Sequence, residues 1–138
     1  ELIVLSKDGL SVFDSSNFSF FQLPLKSEPT DIFLNTHNKT FWVTTKQSGI
    51  YVMDKTLNII DNFEFDPLNP LSLSTSNFDQ LSGSEFYFDE KSGKTFIASQ
   101  NGLNVYDQKL NAFKRYFKGG KTSFTTNKIV AILPKIED

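Results

Sequence analysis

The six-residue segment GLSVFD, Gly9 to Asp14, is written twice more, as GIYVMD at Gly49 to Asp54 and GLNVYD at Gly102 to Asp107. A chain that repeats one sentence at intervals of 40 and 53 residues builds one supersecondary unit several times over. The match extends both ways. Before each glycine stands an apolar run that ends in small or hydroxyl residues: LIVLS, FWVTT and TFIAS. After each aspartate comes a polar turn and an aromatic segment, at 15–21, 55–65 and 108–117. Each unit therefore reads strand, glycine turn, strand, polar turn, strand. Two units gain a preceding strand through turn-rich hairpins, DIFLN at 31–35 and EFYFD at 85–89.

Four strands in about 40–50 residues is the period of a β-propeller blade. The expected fold class is all-β, with four-stranded antiparallel β-propeller blades, about three in number and part of a larger propeller. The expected divisions are a partial blade over 1–27 (strands two to four), blades over 28–77 and 78–126, and the first strand of a further blade over 127–138. The longer interval is absorbed by a loop rich in Pro, Ser and Asn over 66–84. No window sustains the helical i, i+3, i+4, i+7 spacing. An immunoglobulin-like sandwich also suits short strands and frequent turns, but its strands have no reason to recur in sequence. Fifteen Phe, four Tyr and one Trp bias the chain further toward strands.

Elementary chemistry accounts for the repeated letters. The glycine supplies a positive φ in the turn between the second and third strands. Leu10, Ile50 and Leu103, with Val12, Val52 and Val105, alternate onto one face of the third strand and are expected between neighbouring blades. Asp14, Asp54 and Asp107 open the next turn, where a carboxylate accepts backbone N–H bonds. These acids read as structural.

With these units in place, the chain resembles a known family. TFIASQNGLNVYD at 95–107 and FWVTTKQSGIYVMD at 41–54 are similar to the wording L-W-I-G-T-x-x-G-L-x-x-Y-D, and FEFDPLNPLSLSTSN at 63–77 is similar to F-x-x-Y-x-x-D-P-x-N-P-x-S-L-S. Together they look like the two-component regulator propeller repeat of the periplasmic sensor regions of Bacteroidetes hybrid two-component systems. The match has departures: KQS before Gly49 is one residue longer than QN before Gly102, and LIVLS lacks an aromatic. The resemblance implies a non-catalytic periplasmic segment of a sensor, in a receptor whose kinase lies inside the cell. It also implies an oligosaccharide ligand, further blades of the same receptor as partners, and a homodimer at full length. A start at Glu1 and a partial first unit suit an excerpt of a longer receptor. Alternatively, copies associate, with each C-terminal strand completing its neighbour's first blade.

Several chemistries find little footing. A net charge of −2 with scattered Lys and Arg gives no basic stripe for nucleic acid. The absence of Cys removes disulfides, thiolate metal sites and a Cys nucleophile. His37 is the lone histidine and has no second His with which to share a metal or build a triad. No metal site, cofactor or catalytic residue is expected. The acids Asp61, Glu64 and Asp66, or Asp89 and Glu90, have the residue types of a glycosidase pair but fall at strand ends and turns. KGGKTS at 118–123 lacks the spacing and the following helix of a phosphate loop. Asn17 and Asn38 sit in N-x-S/T triplets, which carry little weight in a bacterial protein. Trp42 occupies the strand position that Phe96 takes elsewhere and reads as interblade packing.

Ligand contacts are expected instead on the loops at one end of the strands. Lys46, Gln47, Gln100 and Asn101, with Lys7 and Asp8, share that end with 66–77 and 118–126. Two other functions fit a propeller: a protein-interaction platform in a surface or secretion complex, and a glycosidase or lyase.

Overall fold

The computed structural model describes residues 1–14, 16–79, 86–119 and 124–135. Eleven strands and no helix are formed among them. Sheet 1 comprises β1 (Leu2–Ser6), β2 (Gly9–Phe13) and β3 (Phe18–Phe21), in that order. Sheet 2 is β4 (Pro29–Asn35), β5 (Thr40–Thr45), β6 (Ile50–Met53) and β7 (Ile59–Phe63). Sheet 3 is β8 (Phe86–Asp89), β9 (Lys94–Ser99), β10 (Gly102–Asp107) and β11 (Ala112–Tyr116). Every pair is antiparallel and consecutive, which is the strand order expected of a propeller blade.

The repeated wording falls at one register. Leu5 stands opposite Leu10, Thr44 opposite Ile50, and Ala98 opposite Leu103. Because side chains alternate across a strand, this register gives each sheet a forward face, toward the sheet that follows, and a rear face. On sheet 2 the forward residues Trp42, Ile50 and Val52 pack with Ile97, Tyr106 and Phe113 of sheet 3. Its rear residues Val43, Tyr51 and Met53 pack with Leu10 and Val12 of sheet 1. The whole of β6 is buried as a result, which explains its unbroken apolar run IYVM. Leu10, Val12, Ile50 and Val52 therefore lie between sheets, as the repeat predicts, whereas Leu103 and Val105 lie on the forward face of sheet 3.

The aspartate turns also follow expectation. Asp14 Oδ1 accepts N–H bonds from Ser16 and Asn17 at 2.8 and 2.6 Å. Asp54 Oδ1 accepts from Thr56 and Asn58 at 2.8 and 3.1 Å, and Asp107 Oδ1 from Lys109 and Leu110 at 3.0 and 3.4 Å. The N–H bonds from Ser16, foremost, hold the Asp14 carboxyl below its ordinary value, and the Thr56 hydroxyl does the same for Asp54.

One expected element differs. Residues 124–135 form no strand, so the first strand predicted over 127–138 is not formed in its described part. An extended segment becomes a strand only by pairing, and no described strand flanks this one. Residues 136–138, 80–85 and 120–123, which carry the ends of the predicted segments at 127–138, 85–89 and 118–123, lie outside the described residues.

Candidate functional site

The turns at 7–8, 46–48 and 100–101 stand at one end of the three sheets, and the connections leaving each sheet cross that same end. A hydroxyl closes each turn. Ser6 Oγ donates to Gly9 O at 3.3 Å, Thr45 Oγ1 to Gly49 O at 2.9 Å, and Ser99 Oγ to Gly102 O at 2.7 Å. This bond is the reason each apolar run ends in Ser or Thr. The outgoing connection then clips onto the turn: Gly49 N donates to Ser76 O at 2.9 Å and Phe78 N to Thr45 O at 3.1 Å. Sheet 3 repeats the pair, with Gly102 N to Asn127 O at 2.6 Å and Ile129 N to Ser99 O at 2.9 Å. A hydroxyl two residues earlier accepts from each connection, Thr75 Oγ1 from Asn77 N and Thr126 Oγ1 from Lys128 N.

Lys46 bridges two successive connections. Its Nζ lies 3.0 Å from Glu28 Oε2 and 3.7 Å from Asp79 Oδ1. The bond to Glu28, with its charge, holds the ammonium above its ordinary value. Exposed pairs of this kind contribute about 0–1 kcal/mol, so the bridge positions the loops more than it stabilises them. Gln47 is exposed, and its backbone N donates to Ser27 Oγ at 3.1 Å. Beside them lies a polar cleft of about 450 Å³ lined by Lys7, Asp8, Gln22, Ser27 and Glu28. A shallower depression of about 290 Å³ shares Lys7 and Glu28 with it and adds Thr30, Lys46 and Asp79.

Gln100 and Asn101 belong to neither hollow. The Asn101 side chain donates to Ser74 O at 2.9 Å, and the Gln100 amide nitrogen is buried without a hydrogen-bond partner. Next to them Asn104, fully buried, accepts from Ser74 N at 2.8 Å and donates to Ser74 Oγ at 3.0 Å. Replacing Asn104 with Leu leaves the Ser74 N–H unpaired in the interior, at a cost of about 1–3 kcal/mol. The expected result is a lower midpoint in chemical denaturation, with faster amide exchange at Ser74 than in the parent chain.

The loop 66–72 spends its polar groups on itself. Leu68 N donates to Asp66 Oδ1 at 2.9 Å, Leu71 N to Asn69 Oδ1 at 3.0 Å, and Asp66 N to Ser72 Oγ at 2.8 Å. Arg115 on β11 locks it from outside, donating to Ser72 O at 2.7 Å and to Asn69 O at 2.8 Å, over the Phe65 ring. Sequence reading passed over Arg115; its being the single arginine of the chain was the available signal. Asp61, Glu64 and Asp66 line a small depression with Asn69 and Asn111. Among the described residues no three His, Cys, Asp or Glu side chains are grouped to hold a metal ion. Asp89 caps its own turn through Ser92 Oγ, and His37 stacks on Phe88 at 5.5 Å. Trp42 is buried among Phe63, Phe86 and Tyr106.

These sheets and turns have a counterpart among solved structures. The fold is that of the extracellular domain of the hybrid two-component system BT3049 from B. thetaiotaomicron, with a TM-score of 0.72 and 16% identity. The likeness covers 94% of this chain and 18% of that one. No family model matches the sequence, and no curated protein is similar to it at a significant level. Among the described residues no helix is long and apolar enough to cross a membrane.

Proposed function

We propose that this chain is a non-catalytic sensor segment of an extracytoplasmic receptor in a hybrid two-component system. The observation that carries this reading is the fold likeness to an extracellular domain of that kind over nearly the whole chain. The three sheets act as blades of a larger propeller, and further blades of the same receptor are their partners. The periplasm is the compartment, and the full-length receptor works as a homodimer whose kinase lies inside. Its ligand is an oligosaccharide, taken on the loop end where Lys7, Gln22, Ser27 and Lys46 offer donors and acceptors around a cleft sized for one or two sugar rings. A neutral polyol suits alternating Lys, Gln and Glu side chains better than an anion, which Glu28 and Asp79 would repel. A ligand there would signal only by favouring one arrangement of the connections over another.

Titration of the isotopically labelled chain with a panel of neutral oligosaccharides tests this. Saturable amide shifts at 7–8, 22–28 and 46–47 are expected for at least one sugar, and Gln22→Ala should weaken them about tenfold. Shifts confined to the opposite end, around the His37 hairpin, or none with any sugar, would remove the loop end as the site.

A further inference from the structure

At the loop end sheets 2 and 3 share a backbone clip that sheet 1 lacks. Gly49 N donates to Ser76 O and Phe78 N to Thr45 O, and in sheet 3 Gly102 N donates to Asn127 O and Ile129 N to Ser99 O. The same places in the connection leaving sheet 1 are held by Ser27 and Pro29, since Ser27-x-Pro29-x-x-Ile32 has the spacing of Asn127-x-Ile129-x-x-Ile132. Among the described residues no backbone bond joins either of them to the turn at 7–8. For Pro29 none can form. It has no backbone N–H, so the donor that Phe78 and Ile129 supply is missing at this one junction.

Released from the turn behind it, the connection leans on the turn ahead. Lys46 N donates to Glu28 O at 2.9 Å, Gln47 N to Ser27 Oγ at 3.1 Å, and Lys46 Nζ lies 3.0 Å from Glu28 Oε2. Lys26 N donates to the Tyr51 hydroxyl at 3.3 Å. The gap left behind is the cleft of about 450 Å³, with Lys7, Asp8 and Gly9 on one wall and Gln22, Ser27 and Pro29 on the other. Where sheet 2 passes to sheet 3, turn and connection meet at hydrogen-bond distance, and no sugar ring fits between the bonded atoms.

Resting on the sugar-sensing reading above, we infer that Pro29 is the residue that makes this junction a binding site, and that a ligand hydroxyl replaces the missing N–H as donor to the Ser6 carbonyl. Thr45 O and Ser99 O each commit an acceptor lone pair to the clip, whereas Ser6 O receives nothing from its connection. That position calls for a donor. A sugar hydroxyl donates as well as accepts, but an ionised carboxylate or a phosphate dianion only accepts, and Asp8 and Glu28 flank the same cleft. Gln22 on the facing wall, whose amide also does both, completes a site for a neutral polyol. Clip and ligand therefore compete for one place: a connection bonded to the turn behind it leaves no cleft, and one that leans ahead leaves room for a ring.

Pro29→Ile puts the residue type of position 129 here and so restores the N–H. Nuclear magnetic resonance of the labelled P29I chain, without sugar, should show a through-hydrogen-bond coupling between the residue-29 nitrogen and the Ser6 carbonyl carbon, with amide protection like that of Phe78 and Ile129. Both chains are then titrated with cellotriose, maltotriose and mannotriose. The trisaccharide that binds the unaltered chain should move the Ser6 carbonyl carbon resonance, and P29I should bind it about tenfold more weakly, the scale of one hydrogen bond. A residue-29 amide that is uncoupled to Ser6 and exchanges like an unbonded loop amide overturns the proposal. So does a trisaccharide bound equally by both chains, or one that leaves the Ser6 carbonyl unmoved, a readout that does not require the variant to fold. If none of the sugars binds, the sugar-sensing reading falls, and the coupling, measured without sugar, still decides the role of Pro29.

Discussion

Trp42→Ala is expected to destabilise the chain by about 3–5 kcal/mol, the range for emptying a buried aromatic site. Trp42 is 2% exposed at the centre of the interface between sheets 2 and 3. Its ring lies 5.3 Å from Tyr106, 5.5 Å from Phe63 and 6.2 Å from Phe86, so no single neighbour can move in to fill the gap. Its Nε1 donates to Thr40 Oγ1 at 3.2 Å, which satisfies the one polar atom it buries. Trp42→Phe should cost far less, about 1–2 kcal/mol, because the equivalent position in sheet 3 is Phe96. Urea denaturation followed by far-ultraviolet dichroism checks both. Equal losses for the two variants would mean that the site tolerates collapse and that the interface is not packed as described.

The second large effect belongs to the repeat glycine. Gly49 has φ of 68°, and a Cβ there would run into the Phe63 carbonyl oxygen at the end of β7. Gly102 and Gly9 stand in the same relation to Tyr116 and Phe21. Gly49→Ala therefore combines about 1 kcal/mol of backbone strain with about 1–3 kcal/mol of overpacking against backbone that cannot swing aside. Gly93 is the control within the same molecule. Its φ is 69°, yet a Cβ there meets nothing within 4 Å, so Gly93→Ala should show the backbone part alone. Thermal unfolding of the two variants separates the contributions. Equal shifts in Tm would show that the close approach of the outer strand carries no weight.

The glycines also mark how far the sequence can be read. Their positive φ follows from a tight turn between alternating strands, but the carbonyl facing each one comes from a strand twelve to fourteen residues later, and no local pattern announces it. Strand order and register were legible because the same six letters recur, and a period-2 pattern fixes which residues share a face. The loop residues were harder. Lys46, Gln47, Gln100 and Asn101 look alike as polar turn letters, yet Lys46 is tied to Glu28 and Asp79 while the Asn101 amide is spent on Ser74 O. Both partners arrive from connections of different length, and the one extra residue of KQS and the long loop 66–84 hide the alignment. The stretch 127–138 was read as an innermost strand from its place in the repeat, and a place in a repeat cannot supply the neighbour that a strand requires.

Sheet 2 has one more property, which follows from its burial on both faces. Clusters on either side of it share no residue, since Trp42, Ile50 and Val52 face one way and Val43, Tyr51 and Met53 the other. Among the described residues sheets 1 and 3 are therefore coupled in series, like links joined through a common middle ring. A disturbance at the Lys7 turn reaches Arg115 through sheet 2, by its packed faces or by the Lys46 bridge from Glu28 to Asp79. Such a stack behaves as a nearest-neighbour array, in which the middle member sets the cooperativity and the outer two melt or move on their own terms.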